Sequence, residues 1–168
     1  MTISIAWVRT VNTCEELIFA SDSRLSGDGA TIDYCPKIIN LPRADCAIGF
    51  AGTTGRAYAL IHQLTNAISA FGPLESRAMD IRELRTHAIK IFSTIVNSID
   101  TPIKDLENPD VAFIFGGYSW ILKSFVIWHI SYDNNLLKMI ARPAEHAITN
   151  PEAKNNIYWV NPNGITSF

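Results

Sequence analysis

Hydrophobic and polar residues alternate at the start of the chain, which is the pattern of a half-buried β-strand. The segments TISIAWVR (residues 2–9) and LIFAS (residues 17–21) flank the polar stretch TVNTCEE, so they predict a strand hairpin with a polar turn. A polar loop, RLSGDGAT, follows at residues 24–31. CPKIINLP (residues 35–42) predicts a short extended piece between two prolines, and CAIGFAG (residues 46–52) predicts a buried strand.

Helical spacing replaces the alternation after residue 52. Thr53 or Thr54 is the expected N-cap of a first helix, which FGP at residues 71–73 would end. The expected buried face of this helix comprises Ala57, Leu60, Ile61, Leu64, Ala67 and Ile68. Asp80 and Glu83 have the spacing of a capping box and predict the start of a second helix, which DTP at residues 100–102 would end.

Strand patterns return after the second helix, at residues 110–119, 122–133 and 136–142. The turns between them are expected at Gly116–Gly117 and at residues 133–135, Asp-Asn-Asn. The order of strands, two helices and strands again differs from the strict alternation of a Rossmann sheet. It predicts an α+β layered domain with an antiparallel sheet against a helical pair, and a single domain over residues 1–168.

Composition narrows the class of function. The 168 residues are 48% apolar with a formal net charge of −2, which suits a globular domain and argues against nucleic acid as a partner. No segment approaches the roughly 20 apolar residues of a membrane span, and the first residues lack the features of a signal peptide. Three cysteines without CxxC spacing predict reduced thiols in a cytoplasmic protein. We expect no metal site, no cofactor and no membrane association.

The segment LIFASDSR ends a hydrophobic strand on Asp22, which raises the question of what pairs with this carboxylate. A buried carboxylate is costly unless a cation or a hydrogen-bond donor meets it. Lys37, in the next extended piece, is the candidate cation. Thr2 lies directly behind Met1, which aminopeptidases often remove before a small residue, and Gly52 ends a strand where a helix begins.

Each of these residues also has an ordinary structural interpretation. Thr2 can be a β-branched residue that starts a strand, and residues 22–24 can be a strand-end turn with a local ion pair. Lys37 can be a charge that discourages edge-to-edge pairing of sheets. Gly52 can be only a tight turn into the helix. The four features together, in this order and at this spacing, indicate more than any one of them.

Together these motifs resemble the N-terminal-nucleophile hydrolases, specifically proteasome β subunits and the bacterial proteasome-like peptidase of the two-component ATP-dependent protease. The matching motifs are a threonine that starts the first strand, ASDSR, PKIINL and IGFAGTTGRA with its helix. The resemblance covers roughly residues 2–142. It implies an αββα layered sandwich, and the chain ends about where the family continues with further helices and strands. We therefore expect it to be truncated at its C-terminal end relative to the family.

The resemblance implies a catalytic role for four residues. Thr2, once Met1 is removed, would supply a hydroxyl nucleophile and an α-amine base, whose pKa of about 7.7–8.0 suits that role. Lys37 would favour the alkoxide, and Asp22 would hold the Lys37 ammonium in place. The Gly52 N–H would meet the oxyanion of the tetrahedral intermediate.

The resemblance also implies a substrate cleft. The backbone of Ser26 would pair with an extended peptide. The pocket for the residue before the cleaved bond would be lined by Leu25, Cys35, Phe50 and Thr54. Since Leu, Cys and Phe are apolar, the expected preference is for Tyr, Leu or similar side chains.

The expected partners follow from the same resemblance. They are a peptide or unfolded protein as substrate, further copies of the chain in a homo-oligomeric ring, and an ATPase unfoldase. Two alternatives stay open: a non-catalytic subunit of the same fold that serves assembly or scaffolding, and an N-terminal-nucleophile hydrolase of a small amide.

Overall fold

The computed structural model describes residues 4–27, 30–98, 111–144, 148–149 and 156–160; the last two segments and residues 26, 27 and 30 are described by their backbone alone. The strands before the helices are β1 (Ser4–Val11), β2 (Cys14–Ser21), β3 (Leu25–Gly27), β4 (Ala30–Ile32), β5 (Ile38–Asn40) and β6 (Cys46–Gly52). The helices are α1 (Thr54–Ala70), α2 (Gly72–Glu75) and α3 (Ile81–Ser98). The later strands are β7 (Val111–Ser119), β8 (Ser124–Asp133), β9 (Lys138–Pro143), β10 (Ile148–Thr149) and β11 (Asn156–Val160).

Two antiparallel sheets form the centre of the fold. The first sheet has the strand order β10-β11-β1-β2, and the second has the order β5-β6-β7-β8-β9. Ala6 of β1 packs with Ala51, Ala112 and Ile114 of the second sheet, and Leu17 of β2 packs against this cluster. Small residues at this contact let the two sheets approach closely.

The helices pack on the other face of the second sheet. The predicted apolar stripe of α1 is buried at Ala57, Leu60, Ile61, Leu64 and Ile68. Together with the buried face of α3 and with Phe50, Phe113 and Phe115 of the sheet, this stripe forms the largest core cluster. The predicted layering of helices on an antiparallel sheet is confirmed.

The capping box at the start of α3 is also confirmed. The Asp80 N–H donates to Oε2 of Glu83 at 2.9 Å, and Oδ1 of Asp80 accepts from the Arg82 N–H at 3.1 Å. By contrast, Thr53 occupies the N-cap position of α1 without a side-chain capping hydrogen bond, and Thr54 is the first helical residue. The ends of α1 and of β6 lie where the sequence pattern predicts them.

The predicted first hairpin is confirmed by the pairing of β1 with β2, and two local details differ from the prediction. The first hairpin turns over two residues, Asn12 and Thr13, because the polar residues of TVNTCEE lie on exposed strand ends. The predicted loop at residues 24–31 contains the β3–β4 hairpin, and the register pairs Leu25 with Ile32. The short helix α2 and the strands β10 and β11 were also not predicted.

Gly116 and Gly117 do not lie in a turn. Both belong to β7, opposite Ala47 and Cys46 of β6. A Cβ at Gly116 would lie 3.3 Å from Cδ2 of Leu17 in the first sheet, so this glycine serves close packing between the sheets. The turn itself occupies residues 120–123, and the second predicted turn, after Asp133, is confirmed at residues 134–137.

Candidate functional site

The carboxylate at the end of β2 meets the predicted cation. Nζ of Lys37 donates to Oδ2 of Asp22 at 2.6 Å. The Lys37 side chain is fully buried, whereas the Asp22 side chain is 38% exposed. A buried ammonium is retained only with a charged or hydrogen-bonded partner, so Asp22 sets the position of the charge. The Lys37 ammonium is thus held in a fixed position by a carboxylate that reaches the surface.

Lys37 is tied through its backbone to the end of β6. The carbonyl oxygen of Lys37 accepts a hydrogen bond from the Phe50 N–H at 3.1 Å. The carbonyl oxygen of Phe50 in turn accepts from Oγ of Ser4 at 2.7 Å. Because Ser4 begins β1, these two bonds bring the segments around Lys37, Phe50 and the start of β1 to one place.

The strand register supports the same convergence. Ser4 of β1 lies opposite Ser21 of β2, and Ser21 directly precedes Asp22. The start of β1 therefore lies beside the segment that carries the carboxylate. Thr2 itself, the predicted nucleophile, lies outside the described residues. Its catalytic role remains a prediction.

Gly52 ends β6 directly before α1. Its φ of 108° lies in a region that only glycine adopts without strain, so the residue is required by the backbone itself. Gly52 follows Phe50 by two residues, about 7 Å along a strand. The N-terminus of α1 begins at Thr54, so its positive dipole end lies at the same corner of the fold. A site at this corner can stabilise negative charge.

The predicted pocket residues are placed as follows. Phe50 is fully buried, Leu25 is 9% exposed, and Cys35 packs against the same core cluster. Thr54 is half-buried at the start of α1, and the backbone of Ser26 lies in β3 opposite Thr31. The structure thus brings Leu25, Cys35 and Phe50 into one apolar cluster. Their role in substrate binding remains a prediction.

Tyr58 of α1 is a residue of this corner that the sequence patterns did not single out. Its hydroxyl donates to the carbonyl oxygen of Pro36 at 2.7 Å, immediately before Lys37. Its ring packs edge-on against Phe50, with the centroids 5.3 Å apart. Burial raises the pKa of the Tyr58 hydroxyl, with a smaller contribution from Cys35, so the hydroxyl remains a donor at neutral pH. Tyr58 pins the Lys37 segment to the helix.

We expect Tyr58→Phe to lower the free energy of unfolding by about 1 kcal/mol, because the hydrogen bond to Pro36 is lost while the ring stays packed. Urea unfolding followed by circular dichroism measures this difference. Tyr34→Phe is the matched control, because Tyr34 is 92% exposed. This substitution should change the urea midpoint by less than the experimental error. Equal midpoints for Tyr58→Phe and the wild type would show that the bond contributes nothing.

Ser4 and Tyr58 were missed for a common reason. Both act through hydrogen bonds to backbone carbonyls that are distant in sequence. A serine in a strand and a tyrosine in a helix have no local signature of such a bond. The helical spacing places Tyr58 beside the buried Ala57, which was the one available hint.

The described residues were also compared with the requirements of metal sites, disulfides and membrane-spanning helices. In residues 4–27, 30–98 and 111–144, no group of three or more His, Cys, Asp or Glu side chains has the geometry of a metal site. The cysteines Cys14, Cys35 and Cys46 are free thiols, and burial raises the pKa of Cys46 to about 12, with a further contribution from Asp45. Among the helices that the structure describes, none is long and apolar enough to cross a membrane.

Comparison with solved structures identifies the fold. Anbu from Hyphomicrobium sp. strain MC1 aligns with a TM-score of 0.60 and 16% identity, over 95% of this chain and 60% of that chain. Anbu from Yersinia bercovieri, described as an ancestral beta-subunit, aligns with a TM-score of 0.60 and 15% identity over the same shares. HslV from Trypanosoma brucei aligns at 18% identity over 94% of this chain and 70% of that chain, with a TM-score of only 0.48.

No protein-family model matches the sequence, and no curated protein matches it. The chain spans 60% of the length of the Anbu structures. At 15–16% identity the likeness concerns the fold alone. It shows that the chain has the fold of the Anbu structures, and it confirms the predicted α+β layered class.

Proposed function

We propose that this chain, which has the fold of the proteasome-like N-terminal-nucleophile hydrolases, is a threonine-type peptidase subunit. The observation that carries the proposal is the buried ammonium of Lys37, held at 2.6 Å by Asp22 beside the start of β1. A lysine is not buried for stability alone, because desolvation of its charge costs several kcal/mol. A fixed positive charge next to a hydroxyl nucleophile would stabilise the alkoxide, and this catalytic role would explain why the buried charge is kept.

In the proposed mechanism, removal of Met1 frees the α-amine of Thr2. This amine takes the proton of the Thr2 hydroxyl, and the hydroxyl oxygen attacks the peptide carbonyl. The Lys37 ammonium lowers the energy of the alkoxide, and the Gly52 N–H donates to the oxyanion that forms. The protonated amine then gives its proton to the leaving amine, and water hydrolyses the ester that remains on Thr2.

Chain geometry supports the placement of Thr2 in this mechanism. Consecutive Cα atoms are about 3.8 Å apart, so the Cα of Thr2 lies within about 7.6 Å of the Cα of Ser4. Ser4 is bonded to Phe50, whose N–H is bonded to the Lys37 carbonyl. Thr2 is therefore two residues along the chain from a side chain that is linked through Phe50 to the Lys37 backbone, which supports the proposed contact with the Lys37–Asp22 pair.

We further propose that the subunit acts in a homo-oligomeric ring on peptides or unfolded proteins, fed by an ATPase unfoldase. One of the matching structures is described as an ancestral beta-subunit, and a subunit works within an assembly. The apolar character of Leu25, Cys35 and Phe50 supports a preference for Tyr or Leu before the cleaved bond. None of these residues carries a charge that would select an acidic or basic side chain.

The test combines intact mass with hydrolysis. We expect the purified protein to lack Met1, to form a covalent adduct at residue 2 with a threonine-directed probe, and to cleave fluorogenic peptides with Tyr or Leu before the cleaved bond. Thr2→Ala should abolish both adduct and cleavage. Retained Met1 without an adduct would overturn the proposal in favour of a non-catalytic scaffold, and cleavage of small amides but no peptides would favour the small-amide hydrolase.

A further inference from the structure

The turn between β7 and β8 presents large apolar side chains to solvent. Trp120, Ile121 and Leu122, which we call the tip, are 51%, 48% and 50% exposed. Turns are normally built from Gly, Pro, Asn, Asp and Ser. A run of exposed apolar residues is unfavourable unless it contacts a partner. The tip lies at the end of β7 opposite to Val111, which pairs with Gly52, so it is remote from the Lys37–Asp22 pair.

The tip is held by a buried carboxylate. Oγ of Ser119 donates to Oδ2 of Asp80 at 2.9 Å, and the Leu122 N–H donates to Oγ of Ser119 at 3.1 Å. The Asp80 side chain is fully buried and also accepts from Nε of Arg82 at 3.1 Å. Burial would raise the pKa of Asp80, but hydrogen bonds from Arg82 and Ser119 hold it below its usual value, so the anchor stays charged at neutral pH. A turn anchored in this way loses little entropy on binding.

A groove of about 700 Å³ opens beside the tip, between the edge strands β2 and β5. Apolar side chains of both sheets line it, among them Leu17, Phe19, Ile38 and Phe125. Glu15 and Glu16 form one rim. Asn40, Asp45 and Arg77 also line it, and Asp45 is paired with Arg43. The groove therefore has an apolar floor, and Glu15 and Glu16 give one edge a negative charge.

The tip and the groove are complementary in charge. Lys123 follows the tip directly, and it makes no ion pair with any residue in the described ranges. On the rim, Glu16 is paired with Arg9, whereas Glu15 is free of ion pairs in the same part of the chain. The apolar tip, which Lys123 follows, thus matches an apolar groove with the Glu15 carboxylate at its edge.

The tip and the groove also share one end of the molecule. Tyr118 and Phe125, which flank the turn, line the groove and pack edge-on with ring centroids 5.5 Å apart. Because the tip and the groove lie side by side on one surface, a two-fold axis can place the tip of each copy in the groove of the other copy. A contact that closes in this way forms a pair rather than a filament.

We propose that the tip of one copy of this chain docks in the groove of a second copy, and reciprocally, in a two-fold contact with Lys123 facing Glu15. This contact is independent of the peptidase proposal. It is tested by the effect of tip and groove variants on association and by the position of crosslinks, whereas the peptidase activity is tested by adduct formation and cleavage, so a failure of either is recognised separately.

Sedimentation equilibrium over a dilution series tests the contact. We expect Leu122→Glu to raise the dissociation constant of the pair at least about 10-fold, because a charge would enter an apolar groove. Leu136→Glu is the matched control: Leu136 is 57% exposed in the turn after β8, and its N–H is held by Asp133 as that of Leu122 is held by Ser119. This variant should associate like the wild type.

A charge exchange tests the partner more sharply. Lys123→Glu and Glu15→Lys should each weaken the pair by up to about fivefold, and the double variant should restore it. A photo-crosslinker at position 120 should link to peptides of β2 or β5 in the other copy. The proposal is overturned if the wild type shows no pair, if the double variant is not restored, or if the crosslinks lie elsewhere. Binding to anionic vesicles that Leu122→Glu abolishes, with association unchanged, would assign the tip to a lipid surface instead.

Discussion

Replacing Lys37 with methionine should lower kcat/KM for a fluorogenic peptide on the order of 10²–10³-fold, and the chain should remain folded. The loss is expected because methionine removes the charge that, in the proposed mechanism, favours the Thr2 alkoxide, but keeps an unbranched apolar stem in the buried space. Replacing a buried charge with an apolar group of similar size is often neutral for stability. The Asp22 carboxylate left behind is 38% exposed, so water can solvate it. Thermal melting by circular dichroism, recorded with the kinetics, separates lost activity from lost structure.

Arg24→Met provides the matched control for this variant. Arg24 is a neighbouring cation with its own carboxylate partner, since its Nε lies 2.8 Å from Oδ1 of Asp33, but its side chain is 68% exposed. Removing this charge should change kcat/KM by less than about twofold, because exposed ion pairs contribute little.

A double-mutant cycle with Asp22→Asn tests whether the two residues act as one unit. If Asp22 acts only by placing the ammonium, Lys37→Met combined with Asp22→Asn should be no worse than Lys37→Met alone. Wild-type kcat/KM in Lys37→Met would contradict the mechanism even if Thr2→Ala is inactive. In that case the nucleophile would be assigned correctly and the role of Lys37 wrongly.

Among the substitutions proposed for this chain, Gly117→Ala is expected to lower the free energy of unfolding most, by about 3 kcal/mol or somewhat more. A Cβ at Gly117 would overlap the backbone carbonyl oxygen of Asp45 and Cδ1 of Ile81, and it would lie 2.7 Å from Cβ of Cys46. The Asp45 carbonyl oxygen lies directly before β6 and accepts the Tyr118 N–H at 3.0 Å, so it cannot move away as the end of a flexible side chain can. For a chain of this size the melting temperature should fall by about 6–12 °C. Differential scanning calorimetry measures the change.

Gly55→Ala is the control for this substitution. A Cβ at Gly55 meets no atom within 4 Å, and the residue lies in the first turn of α1. Alanine is favoured over glycine in helices by up to about 1 kcal/mol, so the melting temperature should stay equal or rise. A Gly117→Ala protein as stable as the Gly55→Ala protein would show that β6 and β7 are less closely packed than described.

Much of the candidate site could be predicted from local patterns. Asp22 at the end of an apolar strand, Lys37 between two prolines and Gly52 before a helix were each visible in the sequence, and the structure brings Asp22 and Lys37 into contact. The supporting residues could not be predicted. Ser4 reaches Phe50 across 46 positions and Tyr58 reaches Pro36 across 22, and no local periodicity encodes such bonds.

Gly116 and Gly117 show that a local sequence pattern can also predict the wrong structure. Gly116–Gly117 has the local signature of a turn, and the actual turn has the composition of a strand, Trp-Ile-Leu. In both places tertiary contacts outweigh the local preference. Leu17 and Asp45 require small residues at positions 116 and 117, whereas Asp80 and Ser119 hold the apolar turn through hydrogen bonds.

The sequence by itself determined the α+β class, the course of α1 and the ends of β6, since these depend on the periodicity and chain-end preferences of residues close together. It also supplied the candidate nucleophile, cation and carboxylate of the proposed site. The tertiary structure confirmed the predicted contact between Asp22 and Lys37. It alone decided that Ser4 and Tyr58 brace the surrounding backbone and that an apolar turn stands beside an apolar groove. Those outcomes depend on how two sheets and their helices pack, and packing joins residues whose separation along the chain carries no local signal.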